Sequence, residues 1–124
     1  MATVELTSEN FGAATSGEGM VLVDFWAAWC GPCRMFGPVF ERASERHADA
    51  VFGKVNTEAQ PALAGAFVIS SIPTLMVIRD GVIIYARPGA LPETALEQLI
   101  ARACALDMDE VRASIAERTE SPSS

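Results

Sequence analysis

The chain has 124 residues, half of them hydrophobic, and a formal net charge of −7. This length fits one domain with its own core, and the acidic balance argues against nucleic acid or an anionic membrane as a main partner. No apolar run approaches the roughly 18 residues that a membrane span needs, and the first residues lack a basic and apolar leader, so we expect neither a membrane span nor a signal peptide.

The first half of the chain alternates between strand-like and helix-like patterns. Residues 3–6 are predicted to form a short strand, and Thr7 is suited to cap a short helix after it. The nearly continuous apolar run at residues 20–27 indicates a central strand buried on both faces. Apolar residues at helical spacing then predict a long helix over residues 30–48, which contains Pro38.

The second half predicts three more strands and two more helices. A turn signal at Asp80-Gly81 joins two of those strands in a hairpin. In order, we expect a strand at residues 51–56, a helix at 58–66, strands at 74–79 and 82–87, and a long helix that begins at Pro92. This element order predicts an α/β fold with a mixed central β-sheet flanked by helices.

The end of the chain predicts a short helical extension. Asp107 is suited to be a helix N-cap, with Glu110 three residues later as its capping-box partner. We therefore expect a main domain at residues 1–106 and a C-terminal extension at residues 107–124, in which a short helix packs loosely on the domain or dimerises weakly. The serine-rich residues 121–124 are expected to be disordered.

The pentapeptide Trp29-Cys30-Gly31-Pro32-Cys33 lies between the central strand and the long helix. At a helix start, unpaired N–H groups and the helix dipole favour a thiolate, here that of Cys30. Gly31 permits a tight turn, and Pro32 fits the first helical turn without losing a hydrogen bond. Cys33, one turn further and inward, is suited to displace a substrate from Cys30. The motif predicts thiol–disulfide exchange with Cys30 as the exposed nucleophile.

A structural zinc site is the alternative for this cysteine pair. Zinc takes four ligands, and only Cys104 and His47 remain to complete a set. We expect Cys104 to be a half-buried small hydrophobe, with a regulatory thiol as the minor alternative, and His47 to be a solvated helix residue. Three cysteines are too few for a disulfide-built scaffold, which favours a reducing, cytoplasmic setting.

An ionisable residue, Asp24, lies inside the apolar central strand. A position at a strand end or a solvated edge is the alternative, but apolar residues flank it on both sides. Burial there should raise its pKa, because a low-dielectric environment disfavours the charged carboxylate.

The active-site pentapeptide, Asp24 and Ile72-Pro73-Thr74 together resemble the thioredoxin family over about residues 3–106. The resemblance implies the thioredoxin fold and a cytoplasmic, monomeric protein-disulfide reductase that works through a reversible Cys30–Cys33 disulfide. It also implies that neither a cofactor nor a metal is bound, that disulfide-containing proteins are the substrates, and that a separate NADPH-dependent thioredoxin reductase supplies the electrons.

The resemblance also implies roles for single residues. Asp24 would assist proton transfer at Cys33 through water, and Lys54 occupies the position of the family's lysine beside that aspartate, although an ordinary surface charge is an equally open reading. The Ile72–Pro73 bond would be cis, with the Ile72 backbone pairing with an extended substrate and Pro73 beside the sulfurs. The other matches to the family's docking surface are Trp29, Gly89 and Ala90.

Ser70-Ser71 departs from the commonest family pattern, which bears on the choice of partner. Two alternatives to a reductase stay open. One is an oxidase or isomerase of the same fold, although Gly31-Pro32 resembles reductases more, and a reduction potential separates these activities. The other is a non-catalytic binding subunit that uses the docking surface.

Overall fold

The computed structural model describes residues 2–120, so the predicted tail at residues 121–124 lies outside the described part. Five strands and five helices make up that part. In chain order they are β1 (Thr3–Glu5), α1 (Phe11–Thr15), β2 (Met20–Trp26), α2 (Gly31–Arg46), β3 (Val51–Asn56), α3 (Pro61–Ala66), β4 (Thr74–Arg79), β5 (Val82–Pro88), α4 (Glu93–Ala105) and α5 (Met108–Glu120).

The five strands form one mixed sheet with the order β1-β3-β2-β4-β5. Strands β1 and β2 both pair with β3 in parallel, whereas β4 is antiparallel to β2 and to β5. Strand β2 therefore lies at the centre, where its apolar sequence is buried on both faces. The predicted α/β fold with a mixed sheet between helices is confirmed.

The core lies on both faces of the sheet, because successive side chains of a strand point to opposite faces. On one face, Leu22 of β2 packs in a cluster with Phe40 of α2 and Ile100 of α4. On the other face, Phe25 of β2 packs in a second cluster with residues of α1 and α3. Helices thus cover both faces of the sheet.

Two short helices begin later than the sequence patterns predict, because side chains hold the preceding residues in turns. The amide oxygen of Asn10 accepts a hydrogen bond from the Thr7 backbone N–H at 2.7 Å, and α1 starts only after Asn10. The amide oxygen of Asn56 accepts one from the Glu58 N–H at 3.0 Å, and α3 starts at Pro61. Such Asx interactions compete with helix formation.

The break before the last helix follows the predicted capping chemistry. The Asp107 carboxylate accepts hydrogen bonds from the Asp109 N–H at 3.0 Å and the Glu110 N–H at 3.3 Å. The Arg79 guanidinium donates to three carbonyls at the end of α4, those of residues 103, 104 and 106. Helix α5 packs on the domain through the buried side chain of Met108.

Two side-chain predictions about the helices are wrong. Cys104 is exposed rather than half-buried, because the residues of α4 that face the core here are Ile100 and Ala103. His47 is not a solvated residue, since its Nε2 lies 2.8 Å from Glu97 Oε1 and its ring stacks on Phe52. Both outcomes depend on how α2 and α4 pack, which a local pattern does not specify.

No helix within residues 2–120 combines the length and the apolar character that a membrane crossing requires.

Gly53 provides a test of how closely β3 packs. It lies opposite Val4 of β1 and Val23 of β2, and a Cβ added there would be 2.6 Å from Cγ of the buried Leu6. We expect Gly53→Ala to lower the free energy of unfolding by about 1–3 kcal/mol, because the buried Leu6 side chain would have to shift. Urea denaturation measures this loss.

The matched control is Gly12→Ala in α1, where an added Cβ meets nothing within 4 Å. Alanine should leave the stability unchanged there or raise it by up to about 1 kcal/mol, since it loses less conformational entropy than glycine. Equal stabilities of the two variants would contradict the overlap at Leu6.

Candidate active site

Two cysteines meet at the junction of β2 and α2. Strand β2 ends at Trp26, Cys30 is the N-cap of α2, and Cys33 lies in the first turn of that helix. Their Cα atoms are 5.2 Å apart, and the two sulfurs form a disulfide. The central strand and the long helix therefore place a small disulfide ring at one end of the sheet.

The local backbone directs a hydrogen-bond donor at Cys30. Its φ of −85° and ψ of 114° are those of an extended N-cap residue, and its Sγ accepts the Cys33 backbone N–H at 3.2 Å. Pro32 lies in the first turn, where it leaves no helical hydrogen bond unmade. This N–H and the helix dipole favour negative charge on the Cys30 sulfur once the disulfide is reduced.

Exposure does not distinguish the two cysteines, contrary to the prediction that Cys30 is the exposed one. Cys30 is 3% exposed and Cys33 is 5% exposed in the disulfide form. Cys30 is covered because its Sγ lies 3.6 Å from the Ile72 carbonyl oxygen, and Ala27 and Ile72 pack in the same cluster. The N-cap position and the contact with the Ile72 carbonyl, not exposure, distinguish Cys30 from Cys33.

The segment before β4 lies against the disulfide. Its Ile72–Pro73 peptide bond is cis, as the resemblance implies. The Gly89 N–H donates to the Pro73 carbonyl at 2.8 Å, which brings the end of β5 to the same place. Trp29, next to Cys30 in the chain, is 65% exposed, and Gly89 and Ala90 are also exposed.

Asp24 is fully buried in β2, at 0% exposure. Neither carboxylate oxygen has a hydrogen-bond partner within residues 2–120. Burial raises the pKa of Asp24 to about 7, against the opposing effect of the positive charge of Lys54. The strand register places the two residues directly opposite each other on β2 and β3.

Lys54 is half-buried, and its Nζ lies 5.1 Å from the centroid of the Trp26 ring. It lines a cleft of about 170 Å³ that also reaches Cys33 and Gly37. Lys54 thus lies partly buried in the cleft that reaches Cys33. An ordinary surface lysine would be more fully solvated. Trp26 also lines this cleft, because it ends the strand that carries Asp24, and no sequence motif indicated this role.

The structure brings together Asp24, Lys54, the cysteine pair and the Ile72–Pro73 segment, which are far apart in the chain. Within residues 2–120, no three His, Cys, Asp or Glu side chains are grouped as a metal site would require. The site therefore contains a disulfide with a hydrogen-bond donor at one sulfur, and a buried carboxyl group, Asp24, in the strand that precedes it. This arrangement suits the transfer of two electrons and two protons.

Comparison with known proteins agrees with this chemistry. The family profile described as Thioredoxin matches residues 2–102. The chain is 61% identical over 117 residues to a thioredoxin 2 homologue of Streptomyces coelicolor, covering 94% of this chain and 87% of that protein. It is 42% identical over 101 residues to the thioredoxin of Bacillus subtilis, covering 81% of this chain and 96% of that protein.

A solved structure extends the likeness to the fold. The thioredoxin of Malassezia sympodialis superimposes with a TM-score of 0.74 at 33% identity, over 81% of this chain and 89% of that one. The family profile, the relatives and the cysteine pair lead to one assignment. The chain belongs to the thioredoxin family and is a protein-disulfide reductase.

Proposed function

We propose that Cys30 is the attacking thiol of this reductase and Cys33 the resolving thiol. The Cys30 thiolate attacks one sulfur of a substrate disulfide, that S–S bond breaks, and the departing substrate sulfur takes up a proton. Cys33 then loses its proton and attacks the Cys30 sulfur, which releases the second substrate thiol and forms the Cys30–Cys33 disulfide. The observation that carries this order is the Cys33 N–H directed at Cys30 Sγ.

Asp24 is the proposed proton acceptor for Cys33, acting through water. A group whose pKa is about 7 can both take and return a proton at neutral pH. Lys54 limits the rise of that pKa, because its charge favours the ionised carboxylate. The cleft shared by Lys54 and Cys33 supports a route for the proton to the surface.

The substrate is proposed to bind as an extended segment beside the disulfide. Ile72 would pair with it through backbone groups, since its carbonyl lies next to Cys30 Sγ, and Pro73 would pack beside the sulfurs. The exposed ring of Trp29 and the exposed backbone at Gly89 and Ala90 complete this docking surface. Gly31, between the N-cap residue Cys30 and Pro32, would contribute the tight turn at the start of α2.

The partners and the setting follow from the same chemistry. We propose that a separate NADPH-dependent thioredoxin reductase reduces the Cys30–Cys33 disulfide, and that this chain works as a monomer in the cytoplasm. The exposed thiol of Cys104 is compatible with a reducing compartment. Residues 1–106 would form the catalytic domain and residues 107–124 an extension of it.

Insulin reduction tests the proposed function as a whole. With NADPH and a thioredoxin reductase, the chain should accelerate cleavage of insulin disulfides and consume one NADPH per disulfide reduced. The doubly substituted Cys30→Ser, Cys33→Ser chain is the control and should be inactive. Failure to reduce insulin, together with a reduction potential well above that of reductases, would identify an oxidase or isomerase instead.

The order of attack predicts which variant retains a substrate. Cys33→Ser should accumulate a stable mixed disulfide between Cys30 and the substrate, because the resolving thiol is missing. Cys30→Ser, the matched control, should accumulate little, since Cys33 lacks the N-cap hydrogen bond. Non-reducing electrophoresis and mass spectrometry measure the trapped fraction, and equal trapping by both variants would reverse or abolish the assignment.

The burial of Asp24 predicts a pH-dependent effect of Asp24→Asn on stability. The pKa of Asp24 is near 3.9 in the unfolded chain and about 7 in the folded one, so ionisation opposes folding increasingly as pH rises through this window. The variant should therefore match the parent near pH 4 and be more stable by roughly 3 kcal/mol at pH 8, while its turnover is slower. Urea denaturation at both pH values measures the difference.

Asp49→Asn is the matched control, because Asp49 is exposed in the turn that follows α2. It should change stability little at either pH. If Asp24→Asn is no more stable than the parent at pH 8, Asp24 is solvated or paired in solution, contrary to its buried position.

A further inference from the structure

Val68 has a backbone conformation that valine rarely adopts. Its φ is +53°, in the left-handed region. It follows the C-cap residue Phe67 of α3, where the Val68 N–H donates to the Gly65 carbonyl at 3.1 Å and the Ile69 N–H to the Ala64 carbonyl at 2.9 Å. These two bonds define a Schellman motif, and the residue at this position is usually glycine.

The side chain of Val68 lowers the stability of the fold through backbone strain, and its contacts within the molecule offset little of this loss. A β-branched residue is a genuine outlier in the left-handed region, because its Cβ crowds the backbone. Glycine would make both hydrogen bonds of the motif without this strain. The side chain is 82% exposed, so it buries little apolar surface in return. Burial within the described residues therefore does little to offset the strain, and strained residues of this kind cluster at functional and recognition sites.

Val68 lies at the edge of a cleft that borders the active site. The cleft has a volume of about 150 Å³. Its rim and walls include Val68, Ser70, Ser71, Thr74, Ala86 and Pro88.

Both sides of this cleft continue into the disulfide site. One side leads along the chain to Ile72, whose carbonyl lies 3.6 Å from Cys30 Sγ. The other side ends at Pro88, which precedes Gly89 in the chain. The Gly89 N–H donates a hydrogen bond to the Pro73 carbonyl. Ser71 of the cleft precedes Ile72 in the chain, so a segment that pairs with Ile72 would lie next to the cleft.

We propose that Val68 and this cleft form a specificity subsite for an apolar side chain of the substrate protein, a few residues from the cysteine under attack. This inference rests on the proposed docking of an extended segment at Ile72. An extended segment directs alternate side chains to the same side, so one of them enters the cleft while its cysteine meets Cys30. Contact with that side chain would bury the isopropyl group of Val68, and this burial of apolar surface would offset the backbone strain.

The subsite predicts opposite effects of Val68→Gly on stability and on specificity. Removing the strained side chain should raise the melting temperature by about 2–5 °C. The probes for specificity are synthetic disulfide peptides with a single leucine at successive positions around the reacting cysteine, each compared with the same peptide carrying serine. For the parent chain, leucine should raise the second-order rate constant at one position, and in Val68→Gly this leucine-to-serine ratio should fall about fivefold.

Val68→Thr and Val51→Thr form a matched pair that separates the subsite from a general loss of apolar surface. Val51 is an exposed valine at the start of β3, at the opposite end of that strand from the disulfide. Val68→Thr keeps the branched shape and the strain but replaces a methyl group by a hydroxyl, so it should lower the leucine-to-serine ratio. Val51→Thr should leave the ratio at the parent value.

The outcomes decide between the subsite and its competitors. A ratio that is the same in the parent chain and in Val68→Gly overturns the proposal, and so does a melting temperature that does not rise. If sedimentation shows that the parent chain self-associates and Val68→Gly does not, the partner is a second copy and the substrate subsite is wrong. A parent chain that reduces neither peptide would overturn the proposed function itself, which is a separate result.

Discussion

The burial of an ionisable carboxyl group in the central strand is the constraint on which the site depends. Asp24 has no exposed surface, and within the described residues its oxygens have no hydrogen-bond partner. The sheet must be stable enough elsewhere to hold such a group, and the apolar residues on both faces of β2 provide that stability. The result is a carboxyl group with a pKa of about 7 in the strand that leads to the cysteine pair, and shifts of this kind are common at functional sites.

Helix α2 links this strand to the redox pair, and its two ends have different tasks. Its first turn supplies the N–H group and dipole that favour a thiolate at Cys30. Its C-terminal part is joined to α4 by ion pairs, including Arg46 with Glu97 at 2.7 Å and Arg42 with Glu93 at 2.8 Å. Each exposed pair contributes little alone, but together they restrain the orientation of the helix that positions the disulfide.

Local stability is lower than it could be at two places around the site. The carboxyl group of Asp24 is desolvated in the central strand, and the backbone of Val68 is strained at the edge of the cleft that it lines with Ser70 and Ser71. In both cases a simple replacement, asparagine or glycine, would remove the desolvated charge or the strain. Departures of this kind are expected where a group serves chemistry or recognition, because those needs differ from the needs of folding.

The sequence by itself determined the features that depend on residues close together in the chain. The cysteine pair at a strand-to-helix junction, the hairpin at Asp80-Gly81 and the Asp107 cap all follow from local chemistry. Tertiary structure alone decided which side chains meet across elements: the register that sets Asp24 opposite Lys54, and the packing that covers Cys30. These contacts depend on how strands pair and helices pack, and the spacing of residues along one segment carries no information about its neighbour in space.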